Sequence, residues 1–314
     1  MKEKYINVLE QIGNTPLVKV NKLESGLCDL WLKLEYHNPG GSIKDRVALS
    51  MIEQAEKKGL LKPGDTIIEA TAGNTGLGLA LVAIFKGYKL VLVLPDRMSP
   101  DKIIHLKAMG VEVILTRSDV GKAHPDYYQN VARQIADNKT NYFHINQFAN
   151  PDNPLAHETT TGPEIYEQTD GKVDAVVCGI GSSGTLTGLT NYFKKKKPTV
   201  ELVVGDPLGS VYKEYVARGV VKQTGTWQIE GIGGDYIPPI ANFDMVKKIY
   251  SITDEESFQA LRNLLLKEGV FAGSSSGTIL AAALRYCKEQ TEPKTVVSIV
   301  CDSGNKYLNK VFNV

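Results

Sequence analysis

Asn38-Pro39-Gly40-Gly41-Ser42-Ile43-Lys44-Asp45-Arg46 is the stretch from which the organisation of the chain can be read. Pro39, Gly40 and Gly41 are a turn composition. Directly after them Ile43, Val47, Ala48, Met51, Ile52 and Ala55 recur at helical spacing, and Gly59 is a stop signal. The pattern predicts that Lys44 sits where a loop enters a helix. The N-terminal end of a helix is already positive. An ammonium held there is disfavoured and its pKa falls, which is what an amine nucleophile needs. A solvated surface lysine is the plain alternative.

Strand-like and helix-like segments alternate on both sides of that turn. Strands are expected at 31–35, 66–70, 89–95 and 111–116, with helices at 74–86 and 101–109 between them. Around Phe148 to Pro154 the composition changes to Asn, Asp and Pro, a linker signal. A second set follows, with strands at 173–178, 200–205 and 295–301 and helices at 185–197, 257–268 and 276–289. Gly231 to Pro238 reads as a loop. Continuous apolar strands alternating with helices imply parallel sheets covered on both faces. The chain has 314 residues, too many for one ordinary core. The expectation is two three-layer α/β domains, a smaller one over 45–150 and a larger one over 1–44 and 151–314, with a ligand cleft between them.

Charge and cysteines narrow the function. Lys+Arg is 36 and Asp+Glu is 35, a net charge of +1, so no global field favours nucleic acid or an anionic membrane. Cys28, Cys178, Cys287 and Cys301 are far apart and show no metal-ligand spacing. Buried reduced thiols and no bound metal are expected. With no apolar leader and no apolar run of spanning length, the expected compartment is the cytoplasm.

Three further loops could carry chemistry. Gly179-Ile180-Gly181-Ser182-Ser183-Gly184-Thr185 follows an apolar strand and opens a helix, offering backbone donors to an anion. It also spells GxGxxG, with Asp206 at the spacing of a ribose ligand, so a dinucleotide-dependent oxidoreductase is a rival reading. Gly273-Ser274-Ser275-Ser276-Gly277 spells the GxSxG nucleophile elbow. The run before it reads as helix, however, and His37, His105, His124, His144 and His157 all precede it. A serine hydroxyl on a buried ring nitrogen, or simple capping, suits it better. Thr71-Ala72-Gly73-Asn74-Thr75-Gly76 opens a helix and gathers hydroxyl, amide and backbone donors into a carboxylate site, or else Asn74 and Thr75 only cap. A junction lysine, a phosphate loop, a carboxylate loop and a serine-rich loop are together what a pyridoxal-phosphate enzyme needs.

From Ile12-Gly13-Asn14-Thr15-Pro16-Leu17 nearly to its end, the chain resembles the cysteine synthase / cystathionine β-synthase family of fold type II pyridoxal-phosphate enzymes. Asn-Pro-Gly-Gly-Ser-Ile-Lys-Asp-Arg is the most specific match. The resemblance implies a tryptophan synthase β-like fold, a homodimer, and pyridoxal 5'-phosphate bound to Lys44 as a Schiff base. It further implies that Asn74 contacts the cofactor's phenolic oxygen, that Gly181, Ser182, Ser183, Gly184 and Thr185 cradle its phosphate, and that Ser275 faces its pyridine nitrogen. Thr71, Ala72, Asn74, Thr75 and Gln147 are implied to hold the substrate carboxylate. Ala72 stands where many members have Ser, and Ser183 where the phosphate loop usually has Gly.

The implied reaction is β-replacement on an amino acid by a thiol, with Lys44 moving the Cα proton. Gly233-Gly234-Asp235-Tyr236-Ile237-Pro238, Val204-Gly205-Asp206-Pro207 and Asp302-Ser303 resemble the cystathionine β-synthase branch. Asp235 is then the group that assists a poor leaving group or activates the incoming nucleophile, or else a solvated loop aspartate. Cystathionine formation from serine and homocysteine is the favoured expectation. Cysteine synthesis from O-acetylserine and sulfide, and release of hydrogen sulfide from cysteine, are the alternatives. A bare catalytic core is expected, without the haem-binding extension and regulatory module of the larger animal enzymes.

Overall fold

The computed structural model describes residues 4–312 except 72, 97, 99 and 122. Two sheets form. The first holds β1 (Leu17–Lys19), β2 (Asp29–Leu34), β7 (Ala175–Cys178), β8 (Glu201–Pro207), β9 (Val246–Ile252) and β10 (Thr295–Val300) in the order β1-β2-β10-β7-β8-β9. The second holds β3 (Thr66–Glu69), β4 (Lys89–Pro95), β5 (Glu112–Thr116) and β6 (Tyr142–His144) in the order β5-β4-β3-β6. Among the described residues, β1 is the one strand that runs antiparallel to its neighbour.

Helices join the strands as crossovers. They are α1 (Lys44–Lys57), α2 (Asn74–Lys86), α3 (Pro100–Ala108), α4 (Tyr128–Asp137), α5 (Asp152–Ala156), α6 (Gly162–Gln168), α7 (Gly184–Lys196), α8 (Tyr212–Arg218), α9 (Asp254–Asn263), α10 (Ser274–Lys288) and α11 (Leu308–Val311). Single π-helical turns, His157–Thr161 and Leu264–Glu268, follow α5 and α9. Strands β3, β7 and β10 are buried along nearly their whole length. That is why they are apolar runs and do not alternate. The core comes from these strands and the helix faces above and below them. Each fully buried Leu, Ile or Val there contributes about 1.5–3 kcal/mol.

Most element bounds match the expectation within a few residues. The expected linker is not an exposed tether. Asn153 is fully buried, and Asp152–Ala156 is helical. The helix expected from Ser257 begins at Asp254, because Thr253 and Glu256 form a reciprocal capping box. Strands β1 and β6 have only three residues each, too few for periodicity to register.

The order of the first sheet decides where the loops meet. Val300 of β10 pairs with Leu34 of β2, and Ser298 pairs with Val177 of β7. The chain segments that leave β2, β10 and β7 are therefore neighbours at one sheet edge. These segments carry Lys44, Asp302 and the Gly179–Ser183 loop. In the second sheet Ile68 pairs with His144, which brings the loop after β3 beside Gln147. Helix α2 then approaches α1 closely: a Cβ on Gly78 would stand 2.9 Å from the Lys44 carbonyl oxygen.

Candidate active site

Lys44 is the first residue of α1, as the turn-to-helix pattern predicts. Its backbone is tied down on both sides. The Ile43 N–H donates to the Cys301 carbonyl at 2.9 Å. The Lys44 N–H donates to Ser42 Oγ at 3.2 Å, and the Gly40 N–H to Asp45 Oδ2 at 2.5 Å. Behind the loop Arg46 is buried and makes bidentate bonds to Glu35 (2.7 and 2.9 Å) and Glu164 (2.6 and 2.7 Å). Lys33 adds a bond of 2.6 Å to Glu164. Such paired, planar bonds hold geometry as well as charge. The Lys44 side chain is half-buried. Loss of water around its ammonium lowers its pKa, against the opposing pull of Cys301 and Asp302.

The Gly179–Ser183 loop links β7 to α7 as predicted. Ser183 takes a left-handed φ of +72°, so it carries a Cβ at a glycine-type position. Its Oγ lies 3.2 Å from Thr187 Oγ1, which donates to the Ile240 carbonyl at 2.9 Å. Asn153 Nδ2 donates to Ser182 Oγ at 2.9 Å. That leaves the Ser182 hydrogen for another acceptor. Thr185 Oγ1 lies 3.3 Å from His157 Nε2, and His157 Nδ1 lies 2.9 Å from Thr161 Oγ1. Burial, with Lys44 and Arg46 nearby, lowers the His157 pKa well below its usual value and keeps the ring neutral. Histidine 157 was not legible as a site residue, because no spacing in the chain relates it to Thr185.

These groups fit a phosphate ester. A Cβ on Gly184 would stand 1.9 Å from Asn153 Oδ1, so the first turn of α7 is bare backbone at a helix N-terminus. The hydroxyls of Ser182 and Thr185 flank it. Asp206 does not suit a ribose. It is buried at the end of β8 and accepts the Lys213 N–H at 3.2 Å.

Ser275 is buried at the N-terminus of α10, beside the Cys301 side chain. Ser276 Oγ accepts the Cys301 N–H at 2.9 Å. The Gly273–Gly277 segment follows a helical turn and an isolated bridge residue. A nucleophile elbow needs a strand there. Asn74 opens α2, where its Nδ2 donates to Asp302 Oδ2 at 2.8 Å. Asp302 in turn faces Lys44. Thr75 Oγ1 donates to Gln147 Oε1 at 2.8 Å, and Thr71 is buried beside them. Ala72 lies outside the described residues. Asp235 is exposed, and its charge acts on Tyr127, Tyr128 and Tyr236. Its loop packs against the phosphate loop, with the Gly233 N–H donating to the Ile180 carbonyl at 2.8 Å.

A cavity of 540 Å³ opens beside Asn74 and is lined also by Lys102, Glu230, Lys306 and Lys310. Glu230 pairs with Lys102 at 2.6 Å and Lys310 at 3.2 Å.

The pattern of the pyridoxal-phosphate dependent enzymes matches residues 8–302. The chain belongs to that family. Mouse cystathionine beta-synthase is 41% identical over 307 residues, which are 97% of this chain and 54% of the mouse protein. A cysteine synthase of Staphylococcus aureus is 40% identical over 96% of this chain and 95% of its own. The chain thus spans about half the length of the mouse relative and nearly all of the bacterial one. Among solved structures, a hydrogen sulfide-producing enzyme from Fusobacterium nucleatum superposes with a TM-score of 0.88 at 39% identity, covering 97% of this chain and all of that one. O-ureido-L-serine synthase superposes with a TM-score of 0.90 at 33% identity, covering 98% and 94%. The sheets and loops described above are therefore those of a family enzyme, and pyridoxal phosphate is the family's cofactor. Among the described residues, no helix is long and apolar enough to cross a membrane.

Proposed function

We propose that this chain catalyses β-replacement on L-serine, or on an activated serine or cysteine, with a thiol as second substrate. Cystathionine formation from serine and homocysteine is the preferred reading. The observation that carries the class is the adjacency of Lys44, Ser275 and the phosphate loop at one edge of the first sheet. When bound, pyridoxal phosphate supplies an electron sink for the carbanion at Cα.

The protein's own residues do the rest. The α7 N-terminus, Ser182 and Thr185 hold the phosphate. Ser275 presents a neutral hydroxyl to the ring nitrogen. The Thr71 and Gln147 side chains, with the backbone N–H groups of Asn74 and Thr75, bind the substrate carboxylate and orient Cα–H toward Lys44. Lys44 takes that proton as its neutral amine and later returns it. The lowered pKa described above favours this form. Asp235 assists departure of hydroxide or activates the incoming thiol.

A second reading is release of hydrogen sulfide from cysteine, or cysteine synthesis. It is favoured by likeness along the whole of the hydrogen sulfide-producing chain and 95% of the S. aureus cysteine synthase. A cytoplasmic homodimer is the compartment and assembly that go with either. Product analysis tests the choice. Purified protein is incubated with serine and homocysteine, with O-acetylserine and sulfide, and with cysteine alone. Cystathionine as the fastest product supports the preferred reading. Cysteine or sulfide as the fastest replaces it with the second.

A further inference from the structure

Asn74 is held at both ends of its side-chain amide. Lys306 Nζ donates to Asn74 Oδ1 at 2.6 Å, and Asn74 Nδ2 donates to Asp302 Oδ2 at 2.8 Å. Lys306 can only donate, and Asp302 Oδ2 also accepts the Tyr307 hydroxyl at 2.8 Å. Turning the amide over would set nitrogen against the ammonium and oxygen against the carboxylate oxygen. Both bonds would be lost, so the amide has one orientation. A primary amide has two N–H donors, and Asp302 uses one. The second is the only side-chain donor Asn74 has left. The Lys306 cation on Oδ1 also polarises the amide and strengthens that donor.

Both partners come from the segment after β10, more than 200 residues from Asn74 in sequence. Asp302 is held in place in its own right. Its backbone bridges to Ser42, two residues before Lys44, and its carbonyl accepts the Gly273 N–H at 2.9 Å. Lys306 ends a short 3-10 turn at Gly304–Lys306, which Ser303 caps. It also lines the 540 Å³ cavity together with Asn74. The clamp thus connects the Lys44 loop, the α10 N-terminus and the α2 N-terminus.

We infer that Asp302 and Lys306 are positioning residues that orient Asn74, leaving one amide N–H free for the cofactor's phenolic oxygen. The inference rests on the pyridoxal-phosphate reading of the site above. Neither residue touches the reacting atoms. Lys306 acts through Asn74, so its effect has to vanish when Asn74 is gone; Asp302 orients Asn74 and also faces Lys44 directly.

The test is a double-mutant cycle read by cofactor affinity and visible absorbance, not by turnover. Wild type, Lys306→Met, Asn74→Ala and the double variant are stripped of cofactor and titrated with pyridoxal phosphate. Lys306→Met should weaken binding about tenfold and shift the absorbance of the bound cofactor, as expected for one charged hydrogen bond. In the Asn74→Ala background the same change should do less than about twofold. Lys306→Arg, which keeps a cationic donor, should restore most of the affinity. Lys306→Met carries the cycle, because Asp302 also faces Lys44 and its loss acts there directly. An equal effect of Lys306→Met with and without Asn74, or no effect at all, overturns the inference. Failure of the wild type to take up the cofactor overturns the cofactor reading itself and the inference with it.

Discussion

The Thr75 hydroxyl donates to Gln147 Oε1 across 2.8 Å, inside the protein and between the start of α2 and the segment after β6. Because that oxygen is occupied, the Gln147 amide is oriented with its nitrogen outward to other acceptors. The Gln147 backbone N–H meets the buried Glu69 Oε2 at 3.4 Å. Thr75→Val removes the donor without changing the shape and leaves the Gln147 oxygen unsatisfied, at a cost of about 1–3 kcal/mol. The Michaelis constant for the first amino acid should rise about tenfold while that for the thiol stays within about twofold. Steady-state kinetics with each substrate varied in turn checks this.

Ser183 combines a left-handed backbone with a useful side chain. Ser183→Ala keeps the strained Cβ and loses the contact with Thr187, so it should destabilise the protein by about 1 kcal/mol. Ser183→Gly loses the same contact but also the strain, and should remain near wild type. Thermal unfolding of the two variants should rank Gly above Ala.

Glu164 ties Arg46 and Lys33 together beneath the Lys44 loop. Burial works against its ionised form, but bonds from Arg46 and the charge of Lys33 hold its pKa down to about 2. A carboxyl with a depressed pKa stabilises the folded state above its ordinary value of 4.5 and loses that contribution as pH falls toward about 2. Glu164→Gln leaves Arg46 and Lys33 short of a partner. It should cost about 3–5 kcal/mol at pH 7, with the gap to wild type narrowing below pH 4.5. Denaturant titrations at several pH values measure the gap.

Glu69 has the opposite sign. Burial raises its pKa to about 7, despite bonds from Gln147, Ala70 and Asn146 that favour the carboxylate. The folded state therefore holds the proton more tightly than the unfolded chain does. Its contribution is complete below 4.5 and is lost as pH rises to about 7. Glu69→Gln should flatten the fall in stability across that window. A variant with the wild-type slope would show that Glu69 is not the titrating group.

Asp235 should discriminate leaving groups. If it assists a poor one, Asp235→Asn slows turnover of serine or cysteine by about 100-fold and leaves O-acetylserine turnover within about twofold, because acetate departs unaided. Equal rates for all three substrates in the variant and wild type would make it a solvated loop residue.

Much of this protein is determined locally and could be read along the chain. The helix from Lys44, the strand at Lys89–Pro95, the helix from Asn74 and the phosphate loop before α7 each follow from periodicity, turn residues and stop signals. Those depend on neighbours a few residues away. Only the tertiary structure decided which loops meet. Strand β10, from the end of the chain, inserts between β2 and β7. A parallel pairing of that kind is set by crossover helices and by burial on both faces, and no spacing within a strand encodes it. The same insertion puts Asp302 and Lys306 on Asn74. It also holds Cys301 between Lys44 and Ser275. The Arg46–Glu35–Glu164–Lys33 cluster and the His157–Thr185 contact are likewise long-range. In sequence these are isolated charged or polar residues, and their roles exist only because folding removes water from around them and leaves one another as partners.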